Sequence, residues 1–130
     1  MDERTQFTIS IDGRKSTTET ADLRAQIQQV QEAKFAEVWL ECGSEILSLL
    51  TNSVQQRAFV MFVTQDNPTG FHTADSCEEE SEADFILSNG QRDCYGYSDT
   101  IALSEGIRAA ELFFAHGGRA PFVQWQDDSD

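Results

Sequence analysis

An acidic run at residues 75–84 holds the side chains best suited to chemistry in this sequence. It contains six acids in ten residues and no base. Because burying even one unpaired carboxylate is costly, the run must lie in solvent or face a positively charged partner. A plain solvated loop is the first interpretation. The second is a partner-binding surface, which we predict from Glu78, Glu79, Glu80, Glu82 and Asp84, with Asp66 and Asp75 at its edge.

Aromatic anchors usually accompany charge at a tight protein interface. Tyr95 and Tyr97 are two residues apart in a polar, glycine-containing loop, so both rings could face a partner, and we include them in the predicted binding surface. Packing inside the protein is the alternative for this pair. Trp39 is out of phase with Val38 and Leu40, which predicts that it lies on the other face of its strand, under a helix.

Catalysis finds little support in the sequence. Glu37 and Glu41 would share one strand face and could act as a carboxylate pair, but alternating exposed acids are common on half-solvated sheets. His72 and His116 have no partner that would place them beside a Ser or Cys nucleophile. Neither a Gly-x-Ser-x-Gly motif nor a phosphate-binding glycine loop occurs. We therefore predict no catalytic residue and no enzymatic activity.

The cysteines give no metal-binding pattern. Cys42, Cys77 and Cys94 are widely separated and odd in number, which is typical of free thiols in a reducing compartment. Cys77, Cys94 and His72 lack the paired spacing of a zinc site. We predict neither a metal nor a cofactor.

The charge balance narrows the classes of partner. Twenty-three acids against nine bases leave a net charge of −14. Phosphate contacts require Lys and Arg, so we predict no binding to nucleic acid, and attachment to an anionic membrane is disfavoured for the same reason. No apolar run is long enough for a transmembrane helix, and residues 1–6 lack the basic-then-apolar order of a secretion signal. These features predict a cytoplasmic protein.

Hydrophobic periodicity predicts the elements that would position these residues. A first helix has its apolar side chains at Leu23, Ile27 and Val30, after possible caps at Thr17, Thr18 and Thr20. Strands are predicted at residues 7–11, 38–42, 46–50, 58–63, 71–73 and 85–87, with residues 58–63 covered on both faces. Residues 91–99 are predicted as a loop after the Asn89-Gly90 turn.

The last third of the chain predicts a second helix and a closing strand. Leu103, Ile107, Ala110 and Phe114 recur at helical spacing, Ser104 is the predicted N-cap, and Gly117 and Gly118 end the helix. Residues 122–125 then form a strand beside that helix. The whole chain, residues 1–130, is predicted to be a single α+β domain, with a mainly antiparallel sheet and two helices packed against it.

Residues 112–125 resemble the closing signature of a family of small bacterial immunity proteins that neutralise polymorphic toxins, including cytosine-deaminase toxins delivered between competing cells. Residues 44–50, 57–63 and 70–73 resemble the central strands of the same family. The matching residues of the closing signature are Phe113, Phe114, Gly117, Gly118, Arg119, Pro121, Val123 and Trp125.

The resemblance implies a function as a toxin inhibitor. It implies one-to-one binding to the catalytic domain of a cognate toxin, a deaminase or else a nuclease, and occlusion of its active site. The acidic run would supply the negative field that attracts the toxin. The alternative is a small acidic structural or regulatory subunit that joins a larger complex through the edge strand at residues 122–125.

Overall fold

A large antiparallel sheet carries helices on one face and a two-stranded sheet on the other, in a computed structural model of the protein. The structure describes the backbone of residues 6–11, 14–75 and 80–128, and the side chains of Ser10 and of residues 25–75 and 80–128. The elements are β1 (Gln6–Ile11), β2 (Arg14–Glu19), α1 (Thr20–Val30), β3 (Phe35–Cys42), β4 (Glu45–Asn52), β5 (Arg57–Thr64), β6 (Phe71–Ala74), β7 (Glu82–Ile86), β8 (Arg92–Gly96), a 3₁₀ helix (Tyr97–Asp99), β9 (Ile101–Ala102), α2 (Leu103–His116) and β10 (Gln124–Asp127).

The strand order of the large sheet is β10-β6-β5-β4-β3-β1-β2, with the short β9 also paired to β5. The second sheet is the β7–β8 hairpin. These features confirm the predicted α+β class, an antiparallel sheet with two helices packed against it. Neither α1 nor α2 is long and apolar enough to cross a membrane, and no other α-helix occurs among the described residues.

The helices cover the first face of the sheet. β3 alternates in burial, and its buried side chains face the helical layer because successive strand residues point to opposite faces. α2 presents its predicted apolar positions to the same core. The main contributors to this core are Val38, Leu40, Leu47, Leu49, Val60, Ile107, Phe113 and Phe114.

The β7–β8 hairpin covers part of the second face. Leu50 of β4 and Phe59 of β5 are buried beneath Ala83 and Phe85 of β7. β5 therefore has buried side chains on both faces, as its apolar run predicted. β4, which lies between β3 and β5, is buried along most of its length for the same reason.

Three strands were missed by the sequence interpretation: β2, β8 and the two-residue β9. Thr17 and Thr18 lie in β2, and Thr20 is the first residue of α1, so the threonine-rich segment is mainly a strand, which suits β-branched residues. The predicted loop at residues 91–99 contains β8 and the 3₁₀ helix. β8 exists because the Asn89-Gly90 turn, with Gly90 at φ 90°, returns the chain antiparallel to β7.

The ends of α2 agree only partly with the prediction. The helix begins at Leu103, with Ala102 as its N-cap and no side-chain cap, so the predicted cap at Ser104 is wrong. The Leu103 amide instead donates to the carbonyl of Gln56 at 3.0 Å, which satisfies a free amide of the first turn. Gly117, at φ 78°, ends the helix as predicted.

The closing strand lies elsewhere than predicted. β10 pairs with β6 at the edge of the large sheet, not beside α2. Trp125 is partly buried against the main core, and its Nε1–H donates to the carbonyl of Ala120 at 3.0 Å. The indole therefore fixes the turn between α2 and β10.

We predict that Gly106→Ala destabilises the protein. A Cβ at residue 106 would lie 2.5 Å from the Cβ of Ala58 and 3.3 Å from Cδ1 of Leu49. Alanine gains about 1 kcal/mol of helix propensity over glycine, but the overlap with a β-carbon that cannot rotate away costs roughly 1–3 kcal/mol. We expect a lower free energy of unfolding in urea denaturation. Gly96→Ala is the control.

The control position has room for a methyl group. Gly96 has an ordinary φ of −61°, and its nearest neighbour to a built Cβ is Ser98 Oγ at 3.8 Å. We expect Gly96→Ala to change the free energy of unfolding by less than about 0.5 kcal/mol. Equal stability of the two variants would show that α2 does not pack this closely on β5.

Candidate protein-binding surface

The β7–β8 hairpin separates an apolar inner side from a charged outer side. Cross-strand pairing places Glu82 opposite Gly96 and Asp84 opposite Cys94. Alternation along β7 sends Ala83 and Phe85 into the core, and it sends Glu82 and Asp84 outward. We name the outward side, with the adjoining Glu80, the hairpin surface; its residues are Glu80, Glu82, Asp84, Arg92 and Cys94.

Side chains of the β4–β5 turn hold the hairpin in place. Asn52 Nδ2 donates to the carbonyl of Asp84 at 2.8 Å, and Gln55 Nε2 donates to the carbonyl of Glu82 at 3.0 Å. The amide of Asp84 donates back to Gln55 Oε1 at 3.0 Å. At the other end of the hairpin, Ser88 donates to Glu37 Oε1 through its amide and its hydroxyl. These contacts fix the direction in which the outer carboxylates point.

The two predicted tyrosine anchors pack within the protein. The Tyr95 ring stacks on Phe59 with ring centroids 3.9 Å apart and planes 4° apart. Burial raises the pKa of Tyr95, and the nearby Asp93 raises it further. The Tyr97 ring lies under the guanidinium of Arg57, 4.6 Å from the ring centroid. Both rings are partly buried, so the structure favours the packing alternative, and a contact of either ring with a partner stays a prediction.

Arg57 joins the acidic segment to the sheet. Its Nη2 donates to Asp75 Oδ2 at 3.2 Å and to the carbonyls of Tyr97 and Thr100 at 3.2 and 2.8 Å. Its Nε donates to Thr100 Oγ1 at 2.9 Å. The Arg57 side chain is only 13% exposed and the Asp75 side chain is 35% exposed, so the ion pair is shielded from water mainly at its arginine end. Asp75, at the edge of the predicted surface, therefore has an internal partner.

The hairpin surface keeps more acid than base. Glu80 and Glu82 are exposed, whereas Asp84 Oδ2 accepts from Arg92 at 2.7 Å. Hydrogen bonds from the Cys94 thiol and from Arg92 lower the pKa of Asp84. The same bond to Asp84 raises the pKa of the Cys94 thiol, which favours the unreactive thiol form at neutral pH. The carboxylate of Asp84 is thus ionised and fixed.

The structure brings together some of the predicted acids and separates one. The Arg57 end of β5 lies near four of these acids, Asp75, Glu80, Glu82 and Asp84. Asp66 follows the opposite end of that strand, roughly 25 Å away for eight residues at about 3.3 Å each. The prediction that Asp66 borders this surface is therefore wrong, because the β5–β6 turn lies at the far side of the sheet. Glu78 and Glu79 lie outside the described residues.

His72 has partners that the sequence did not reveal. Its Nδ1 lies 2.8 and 2.9 Å from the two carboxylate oxygens of Asp128, and its Nε2 lies 3.2 Å from Asp99 Oδ1. The ring stacks on Phe59 at 5.6 Å. These three polar residues come from separate segments, so no spacing in the sequence could have indicated them. The cluster ties the end of β10 and the 3₁₀ helix to β6.

Metal-ligand geometry is missing from the part of the chain that the structure describes. No group of three or more His, Cys, Asp or Glu side chains there could hold a metal ion. Cys42 is buried and Cys94 is exposed, whereas Cys77 lies outside the described residues.

Comparison with protein-family models finds no match, and comparison with curated proteins finds none either. The resemblance at residues 112–125 therefore stays a prediction. The candidate site is defined by its geometry and charge.

We predict that Arg57→Met strongly destabilises the protein. The change removes a guanidinium that is only 13% exposed and leaves the Thr100 carbonyl and the partly exposed Asp75 carboxylate without their main donor, at a cost of roughly 1–3 kcal/mol. The measurement is the free energy of unfolding in urea. Arg92→Met is the matched control, because Arg92 also pairs with an aspartate but is 64% exposed, where solvent screens the ion pair. A similar loss in both variants would contradict the organising role of Arg57.

Proposed function

We propose that this protein is an immunity protein that binds the catalytic domain of a secreted bacterial toxin, one to one, and blocks its active site. The observation that carries the proposal is the hairpin surface: exposed Glu80 and Glu82 beside ionised Asp84, on a hairpin held by Asn52 and Gln55. The resemblance at residues 112–125 supplies the class of partner. The protein would act in the cytoplasm.

The net charge of −14 fits a partner that itself binds nucleic acid. Such enzymes present a positive cleft to phosphate groups. Carboxylates can occupy that cleft where phosphates would lie, and the negative field speeds the encounter and rejects other partners. A deaminase is the first candidate and a nuclease the second, as the resemblance implies. Inhibition would be steric and would need no chemistry from the immunity protein.

A fixed hairpin is better suited to this role than a mobile acidic loop. A flexible run of carboxylates would lose side-chain and backbone entropy on binding, which reduces affinity. The hydrogen bonds to the backbone of Glu82 and Asp84 are already made before any partner arrives. The charge pattern is therefore organised in advance.

We predict that the double variant Glu80→Gln and Glu82→Gln slows association with the toxin domain that is the proposed partner. The expected decrease is about three- to ten-fold at low salt, with a weaker dependence on salt concentration, because two charges of the steering field are removed. Stopped-flow fluorescence at several salt concentrations measures the association rate and its dependence on salt. The dissociation rate should change less than the association rate.

The matched control is the double variant Glu32→Gln and Glu105→Gln. It removes the same charge from exposed residues in the segment after α1 and in the first turn of α2. Its association rate should stay near that of the parent protein. Equal effects of the two double variants would show that total charge, and not the hairpin surface, attracts the partner. Failure of the toxin domain to bind the parent protein would overturn the proposed function itself.

The edge position of β10 favours a second candidate function. β10 is the last strand in the sheet order and pairs with β6 alone among the described strands. Such an edge can accept a strand from another chain, as a subunit of a larger complex would require. Sedimentation of the purified protein separates the two: a stable monomer favours the inhibitor, and stable self-association favours the subunit.

A further inference from the structure

The hairpin leaves a neighbouring part of the second sheet face open. Strand pairing arranges this face in rows across β3, β4 and β5. The first row, at Leu50 and Phe59, is buried under the hairpin. In the next row Trp39 is 43% exposed, and no described element covers it. The prediction that a helix covers this face is therefore wrong.

The open area continues beyond Trp39 along the strands. Strand pairing places three more side chains on the same face, because Met61 aligns through Ser48 with Trp39 and Val63 aligns with Ile46. All three of Met61, Ile46 and Val63 are half-buried. A shallow depression of about 350 Å³ lies at its far end, lined by Ile46, Val63, Thr64 and Pro68 among others. We name this area the Trp39 face; its residues are Glu37, Trp39, Glu41, Ile46, Met61 and Val63.

Two carboxylates flank the indole on this face. Glu37 and Glu41 stand two residues before and after Trp39 on β3, so all three side chains point the same way. Trp39 Nε1–H donates to Glu37 Oε2 at 2.9 Å, which fixes the orientation of the ring. Burial alone would raise the pKa of Glu37, but hydrogen bonds from Ser88 and Trp39 outweigh it and hold that pKa below its ordinary value. Glu41 is exposed.

We propose that the Trp39 face docks an arginine-bearing segment of a basic partner protein. An arginine can stack its guanidinium on the indole while it donates a bidentate hydrogen bond to Glu41, a geometry that lysine cannot match. An apolar side chain two residues along the same segment reaches the depression at Ile46 and Val63. This assignment rests on the proposed function, because it names the chemistry by which the toxin domain would contact the protein.

Charge decides between the possible occupants of this face. A second copy of the chain would bring another net charge of −14 and its own Glu37 and Glu41 against the same carboxylates. Like charges placed opposite each other at an interface are strongly unfavourable. A neutral apolar partner would place uncharged surface against the exposed Glu41 carboxylate. A positively charged segment pairs with Glu41 and covers the indole.

Nitrogen–proton NMR spectra of the isotope-labelled protein test this assignment directly. The probe is a blocked hexapeptide of alternating arginine and valine, titrated into the full chain, with versions containing lysine or uncharged citrulline in place of arginine. The indole Nε1–H signal of Trp39 is the reporter, and a Trp39→Phe spectrum identifies it. We expect saturable shifts of this signal and of amides on the Trp39 face, with weaker binding of the lysine version and none of the citrulline version.

Two variants separate this face from the rest of the acidic surface. We expect Trp39→Leu to weaken binding of the arginine peptide by about ten-fold, the upper part of the range of a cation–π contact, and Glu41→Gln to weaken it by about three- to ten-fold. Glu32→Gln, an exposed acid elsewhere, should change it by less than two-fold, about 0.4 kcal/mol. Both test positions are exposed, and dispersed amide signals verify the fold of each variant.

Three outcomes would overturn the assignment. Saturable shifts confined to residues 80–96 would place the basic contact on the hairpin surface instead, and would leave the proposed function standing. Absence of saturable shifts at low-millimolar peptide would remove the Trp39 face as an arginine site. A Trp39 signal that moves with protein concentration alone would identify a second copy as the occupant. Failure of the proposed function would show itself separately, as absence of binding to the toxin domain.

Discussion

The packing of one hairpin on Leu50 and Phe59 organises the second face of this protein. Leu50 and Phe59 lie on the face that the helices do not cover, so both apolar side chains would be exposed to solvent if the hairpin did not pack on them. The stacking of Tyr95 on Phe59 fixes the lateral position of the hairpin on the sheet, and Asn52 donates a hydrogen bond to the hairpin backbone. Because its inner side is committed to this contact, the hairpin must turn its other side, with Glu82, toward solvent. The location of the acidic surface thus follows from apolar packing.

Where hydrophobic periodicity was strong, the sequence predicted the fold. Alternation in residues 38–42 and helical spacing in residues 103–114 each define an apolar face. Those faces are buried in β3 and in α2. β8 was missed because Tyr95 is its only aromatic residue, and Arg92, Asp93 and Gly96 give the segment the composition of a loop. The Asn89-Gly90 turn carried the missing information, since such a turn needs a strand on each side. The position of β10 depends on pairing with β6, which no local pattern encodes.

The candidate site was predictable in its charge and less so in its geometry. Solvation of the acidic run follows from the cost of burying carboxylates, and Glu80 and Glu82 are exposed accordingly. Asp66 was misplaced because distance along the sequence does not show which end of β5 a turn occupies. Alternation placed Trp39 correctly on the face opposite Val38 and Leu40, but that face carries the hairpin and no described helix, and Trp39 is 43% exposed there. The exposure of Trp39 therefore depends on which elements cover the second face in the folded chain, and not on its residue type.

The two proposed contact areas lie on one side of the molecule, opposite α1 and α2. The most direct measurement is therefore amide hydrogen exchange of the protein with and without its proposed partner, a toxin domain. The account predicts slower exchange on binding in residues 80–96 and in the β3–β5 segments around Trp39, with little change in Leu103–His116. Protection confined to α2 and the helical layer, with unchanged exchange in the hairpin and β3, would contradict the claim that this protein meets its partner through the face that its helices leave open.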